Sequence, residues 1–188
     1  MNAFIDVLDD RVSVGDQLLL KDIISATSFP WFYDPVTVVE PTLNNTNKFQ
    51  FVHWLVDKYK TNSAYSDKIL KFFQFLPEFK THKLQRCKLN LNFPYKERDM
   101  EFPHIDSDDL KTITYLYYVN QSDGPTKFYP DNADKIEIEG KMGRLVKFPS
   151  SLLHSSTLPY DYDRRIVLNL VFGGGRVNCP YNVSDVFD

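Results

Sequence analysis

The chain is poor in cysteine. Among its 188 residues there are two, Cys87 and Cys179, too few and too far apart for a disulfide framework or a thiolate zinc site. It has no apolar run approaching the ~18 residues of a membrane-spanning helix. Its opening stretch, MNAFIDVLDDRVSVGD, lacks the basic-then-apolar order of a secretory signal. These absences lead us to expect a soluble cytoplasmic protein with no membrane partner, in which sequons such as Asn44-Asn45-Thr46 carry no glycan. Strong charge of either sign is missing too. A net charge of −3 and a pI near 5.8 argue against nucleic acid as a partner. The one local exception, KTHKLQRCK at residues 80–88, reads as a solvated strand or helix face, with a strand bordering the functional site as the alternative. We find no internal repeat and no low-complexity segment.

What remains has the composition of an ordinary globular protein, 43% hydrophobic and 25% charged. A chain of this length is expected to form one domain that buries roughly 70% of its unfolded surface. Residues 1–80 read as helical and strand support, 84–172 as a β core and 173–188 as a loosely docked tail. Ser13 and Asp16 form a capping box that opens a helix, with Leu19, Leu20, Ile23 and Ile24 as its apolar face and Pro30 as its stop. The cluster Phe29-Pro30-Trp31-Phe32-Tyr33 is expected to pack against a sheet. KFQFVHWLVDKYK satisfies both periods, and its aromatic and β-branched content favours strand. Ala64 to Leu76 reads as a helix stopped by Pro77.

After residue 84 the texture changes. RCKLNLNF, KTITYLYYV, TKFYP, KIEIE, GRLVKF and RRIVLNLVF are short and rich in β-branched and aromatic residues, with Asp123-Gly124-Pro125 and Glu139-Gly140 as turns. Many short strands without alternating helices imply a sandwich or barrel.

Within this region EFPHIDSDD places His104 two residues before Asp106. Alone the pair is an ordinary polar turn. Fifty residues on, His154 follows the strand-then-turn segment GRLVKFPSSLL, and Asp163-Arg164-Arg165 then opens the strand IVLNLVF. Two neutral imidazoles and one carboxylate on one face of Fe(II) leave three positions open, the arrangement that activates O2. A 2-oxoglutarate cosubstrate would chelate such an iron through its 2-oxo acid end. Its far carboxylate then needs a permanently charged, bidentate partner, for which arginine is the best side chain.

The ordered set FPHIDSDD, TYLYYVNQSDGPTKFY, GRLVKFPSSLLHSS and DRRIVLNLVF resembles the 2-oxoglutarate- and Fe(II)-dependent oxygenases. Within that family it is most similar to the prolyl-hydroxylase-like branch and its small members encoded by bacterial viruses. The resemblance covers about residues 84 to 172, and SFPWFY extends it upstream. It implies a double-stranded β-helix, a distorted cupin-like jelly roll with N-terminal helices on the outer face of one sheet. It implies His104, Asp106 and His154 as iron ligands and Arg165 as the clamp for 2-oxoglutarate, with Arg164 as the alternative. It further implies Tyr118 as a hydrogen-bond partner of the cosubstrate, with Tyr117 facing the other way, and Asn169 as a pocket residue. Many prolyl hydroxylases carry lysine where this chain has Arg165. The expected reaction is hydroxylation of an unactivated C–H bond, coupled to decarboxylation of 2-oxoglutarate, in the host cytoplasm if the protein is phage-encoded. Candidate substrates are a protein side chain (proline first), a free amino acid or small metabolite, and a nucleobase. The competing reading is a non-catalytic jelly-roll binding protein with a vestigial metal site. A halogenase is disfavoured because Asp106 is present. His53, Trp54, Trp31 and Tyr33 are candidates for an entrance, against core packing. The sequence carries no signal of oligomeric state.

Overall fold

Alternation in the long strands sets the architecture. In the computed structural model, which describes residues 4–35, 49–94, 103–131 and 133–173, the strand β5 runs Lys83–Asn92. Cys87, Leu89 and Leu91 point to one face of it and enter the main core. Arg86, Lys88, Asn90 and Asn92 point to the other, as the two-residue period of a strand requires.

In chain order the remaining strands are β1 Asp6–Leu8, β2 Phe32–Asp34, β3 Gln50–Asp57, β4 Lys60–Thr61, β6 Ile113–Tyr118, β7 Ser122–Phe128, β8 Ile136–Gly140, β9 Leu145–Pro149, β10 His154–Ser156 and β11 Arg165–Gly173. The larger sheet has the order β1-β9-β6-β11-β5-β3-β2, with β4 on β3, and the smaller is β10-β7-β8. All of the pairings are antiparallel. The helices α1 Val14–Ser25, α2 Ser66–Leu70 and α3 Glu78–Thr81 bring Leu20, Ile24, Ile69 and Phe79 against Leu89, Tyr117, Leu168 and Phe172 of the large sheet. On its opposite face a second cluster joins Leu116, Tyr118, Val146 and Val167 to Phe128 of the small sheet. Among the described residues no helix is long and apolar enough to cross a membrane.

Several local expectations are corrected. Ser13 does cap α1: its hydroxyl accepts the Asp16 N–H at 3.1 Å and donates to the Asp16 carboxylate at 2.7 Å. Leu19, however, is exposed, and Gln17 takes its place inside by donating to the Val12 carbonyl. The helix ends at Ser25, well before Pro30, because the chain turns at Ala26 to bury Phe29. The helix expected over 64–76 breaks into α2 and the 3-10 turn Lys71–Phe73. Pro77 stops neither. It opens α3, where a missing N–H is harmless.

Asp123-Gly124-Pro125 lies inside β7 rather than in a turn. The ladder to β8 is irregular between Ser122 and Thr126, where proline has no N–H to donate. The Glu139-Gly140 pair likewise closes β8. The turn follows it and reaches φ +83° at Gly143, a conformation that suits glycine. In the aromatic cluster Phe29 is buried, but Phe32 and Tyr33 are 57% and 62% exposed on the edge strand β2, so half of that cluster is surface. The expected tail, apart from Gly173, lies outside the described residues, as does Cys179. Cys87 is a core residue.

Candidate metal and cosubstrate site

The two halves of the histidine pair meet through the backbone. His104 N–H donates to the His154 carbonyl at 2.8 Å, and His154 N–H donates back at 3.0 Å. This isolated bridge extends the edge of the small sheet beyond β10. It puts the two imidazoles 4.5 Å apart, centroid to centroid. The N–H groups of Asp106 and Ser107 both donate to the Ser150 carbonyl, which turns the chain so that the Asp106 side chain points inward. One ligand atom each from His104, Asp106 and His154 can be chosen so that all lie within 4.8 Å of one another.

The protonation states suit a cation. His154 Nδ1 lies 2.9 Å from the Leu152 carbonyl, an acceptor only, so Nδ1 carries the proton and the Nε2 lone pair is left toward Asp106, 3.7 Å away. Burial pushes the His154 imidazole below its ordinary range, which favours the neutral, ligating form. Burial pushes the Asp106 carboxyl up, but the Arg86 guanidinium beside it and the Asn169 amide that donates to it help to hold the group below the usual carboxylate range. Arg86 donates to Asp106 Oδ1. Thr114 Oγ1 donates to Oδ2 at 2.9 Å and Asn169 Nδ2 at 3.3 Å. The carboxylate is thus fixed from both sides while Oδ2 faces His154.

The three residues open on a cavity of about 340 Å³, within the range of small-ligand sites. Arg165 also lines it, a residue only 2% exposed whose side chain is among the largest fully buried ones described. Nε donates to the Gly124 carbonyl and one terminal nitrogen to Thr126 Oγ1, both at 2.9 Å. No carboxylate pairs with it among the described residues. Arg164 is outside, beside Asp163 at 3.8 Å. Asn169 lines the cavity, and its Oδ1 is buried without a partner.

Tyr118 does not line the cavity. It lies beneath Arg165, with the guanidinium carbon 5.4 Å from its ring, and its hydroxyl engages Thr126 Oγ1 at 2.6 Å and the Ile138 carbonyl at 3.3 Å. The tyrosine therefore meets the arginine rather than the space beyond it. Tyr117 faces the helical core. Of the entrance candidates none lines the cavity. His53 is buried, with Pro30 O and Ser63 Oγ on its two nitrogens.

No family model and no curated protein matches this sequence. Solved structures do. An oxidoreductase of the 2OG-Fe(II) oxygenase family from Burkholderia pseudomallei superposes with a TM-score of 0.68 at 12% identity, over 93% of this chain and 87% of that one. A prolyl-4-hydroxylase from Pseudomonas putida gives 0.59 at 16% identity, over 92% and 94%. A Trichoplax adhaerens prolyl hydroxylase, solved with a hypoxia inducible factor peptide fragment, gives 0.59 at 15% identity, over 89% and 82%. The chain shares their jelly-roll fold.

The basic run that the sequence allows either as a solvated face or as a strand bordering the site takes the second place: Arg86 and Lys88 line the cavity together with Asn90 and Asn92. The alternation of KLQRCKLNLN held the signal: every second residue from Arg86 is polar, the mark of a strand face turned to a wet interior.

Proposed function

We propose that the chain is a 2-oxoglutarate- and Fe(II)-dependent dioxygenase that hydroxylates an unactivated C–H bond. The observation that carries this reading is Arg165. A guanidinium enclosed with no carboxylate partner among the described residues is costly unless an anion joins it, and it shares one small cavity with a His-Asp-His cluster. A dicarboxylate that spans from the cluster to the arginine supplies that anion. The oxygen and nitrogen donor set, two imidazoles and one carboxylate, fits Fe(II) with positions left for a chelating cosubstrate and O2.

In this reading His104, Asp106 and His154 hold the ion. When bound, Fe(II) supplies the redox chemistry by which O2 and 2-oxoglutarate become succinate, CO2 and a hydroxyl group on the substrate. The protein residues orient. Arg165 takes the distal carboxylate of 2-oxoglutarate and is itself held by Gly124 and Thr126. Tyr118 braces the arginine from below. Arg86 and Thr114 fix Asp106, and the Leu152 carbonyl fixes the His154 tautomer. Val167 and Leu116 line the wall between the two ends and keep the space apolar there.

The test is anaerobic addition of Fe(II) and 2-oxoglutarate. A weak visible charge-transfer band is expected with the native protein and none with His154→Ala. Absence of the band from native protein, together with no succinate release in air, would sink the proposal.

A further inference from the structure

The cavity keeps a charge that iron and 2-oxoglutarate do not use. Among the described residues Arg86, Lys88 and Arg165 line it against one carboxylate, Asp106, a formal excess of two positive charges. Fe(II) and the 2-oxoglutarate dianion cancel each other, so the excess persists when both are bound. Arg86 is committed to Asp106, and Arg165 is assigned above to the cosubstrate. Lys88 is left.

Lys88 makes no hydrogen bond or ion pair among the described residues. Its ammonium lies 5.0 Å from the centre of the Trp54 ring, and the two residues are cross-strand partners on β5 and β3. The ring holds the lysine on the cavity side of the sheet. Burial pushes its pKa below the ordinary lysine range, an effect that a bound anion would reverse. Asp34 and Asp106 act on it through Coulombic attraction only. On β11 its partner is Asn169, and Arg165 partners Asn92. The lysine and the arginine therefore start about 13 Å apart along the strand direction, at ~3.3 Å per residue. Each is also held at its own end, the arginine by Gly124 and Thr126 and the lysine by the Trp54 ring. Between them on the same face stands Asn90, whose amide oxygen is buried without a partner. An unpartnered acceptor beside an unpaired cation makes a polar subsite that no other described residue fills.

We propose that the substrate is a small molecule bearing an oxyanion, carboxylate or phosphate, held by Lys88, with Asn90 accepting a hydrogen bond from an adjacent N–H or O–H. The proposal rests on the oxygenase reading of the same site and narrows its substrate class. An anchor at Lys88 places the substrate on the β3 side of the cluster, away from the cosubstrate's run toward Arg165. It also gives a chain of net charge −3 a local positive field that draws anions to the opening.

The experiment uses native protein, Lys88→Gln and Lys88→Arg, each with Mn(II) and saturating 2-oxoglutarate. Matched probes are titrated calorimetrically: N-acetyl amino acids against their neutral amides, and nucleoside 5′-monophosphates against nucleosides. Native protein should bind the charged member of at least one pair roughly 10- to 100-fold tighter than its neutral partner, and the arm that responds identifies the oxyanion. Lys88→Gln should lose that preference and Lys88→Arg should keep it, with 2-oxoglutarate affinity unchanged in both. Equal binding of charged and neutral members, or no charged probe bound while 2-oxoglutarate is, overturns the proposal. So does a loss of 2-oxoglutarate affinity in Lys88→Gln, which would place the lysine in the cosubstrate's own site. If native protein binds no 2-oxoglutarate, the oxygenase reading falls and this one falls with it.

Discussion

Arg86 of β5 and Asp106 form an ion pair across the cavity wall, and the Asp106 side chain is only 3% exposed. The pair joins β5 to the loop that carries Asp106, which Thr114 of β6 and Asn169 of β11 also grip. It also occupies one carboxylate oxygen and leaves the other to face His154.

Replacement of Arg86 by Gln should therefore weaken divalent metal binding, by about 10- to 100-fold as for other residues that support a ligand. The loss should grow toward acid pH. Without the guanidinium the Asp106 pKa rises, so protons compete with the ion at a higher pH. Metal titrations at several pH values measure both effects. Identical affinities in the two proteins would mean the pair is idle.

Arg165→Met should separate cosubstrate from metal. Native protein is expected to gain thermal stability with 2-oxoglutarate, about 2.7 kcal/mol at a hundredfold excess over Kd. The variant should gain none while its Mn(II) titration is unchanged. Without ligand it should be at least as stable as the native chain, because removal of an enclosed unpaired charge offsets the two lost hydrogen bonds. A full ligand-induced shift in the variant would move the clamp elsewhere.

Gly124→Ala probes the same clamp from behind. A Cβ at this position would collide with the Thr157 carbonyl oxygen and stand 3.0 Å from Arg165 Cδ. The backbone of β7 must shift, at an expected cost of about 1–3 kcal/mol in urea denaturation. The Arg165 side chain must shift with it, so 2-oxoglutarate affinity should fall as well. An alanine variant with native stability and affinity would contradict the packing described here.

Acid should loosen the N-terminal strand. Hydrogen bonds and charge from Arg144, with Lys141 in support, lower the Asp9 carboxyl from 3.8 to about 2, against a smaller upward push from burial. A depressed carboxylate pKa stabilises the folded state above the unfolded value, and that contribution disappears as pH falls through the folded one. The stability difference between native protein and Asp9→Asn should thus be full at pH 6 and vanish between pH 3.8 and about 2. A difference independent of pH would assign the effect to packing instead.

The β core was legible because its strands carry two signals at once, residue type and a two-residue period. Cys87, Leu89 and Leu91 could be separated from Arg86, Lys88 and Asn90 on paper. The α1 capping box was legible because its partners are three residues apart. What failed were signals whose meaning depends on distant neighbours. Pro77 is as compatible with the start of a helix as with its end. Asp123-Gly124-Pro125 has turn chemistry, yet the Asp123 carboxylate is held by the N–H groups of Tyr160 and Asp161, far along the chain. In the candidate site, His104, Asp106 and His154 could be named from order and spacing, and Arg165 over Arg164 from the family resemblance. The Arg86 ion pair and the hydroxyl partners of Tyr118 could not. Each depends on which strands become neighbours, and that is decided by the whole sheet rather than by any local stretch.

The backbone bridge between His104 and His154 joins residues fifty positions apart through two main-chain hydrogen bonds. The entropy of closing that long loop is therefore spent in folding. A metal bound at the proposed site would have only to settle two rings and a carboxylate that Arg86 and Thr114 already grip, and little of its binding energy would go into ordering the chain.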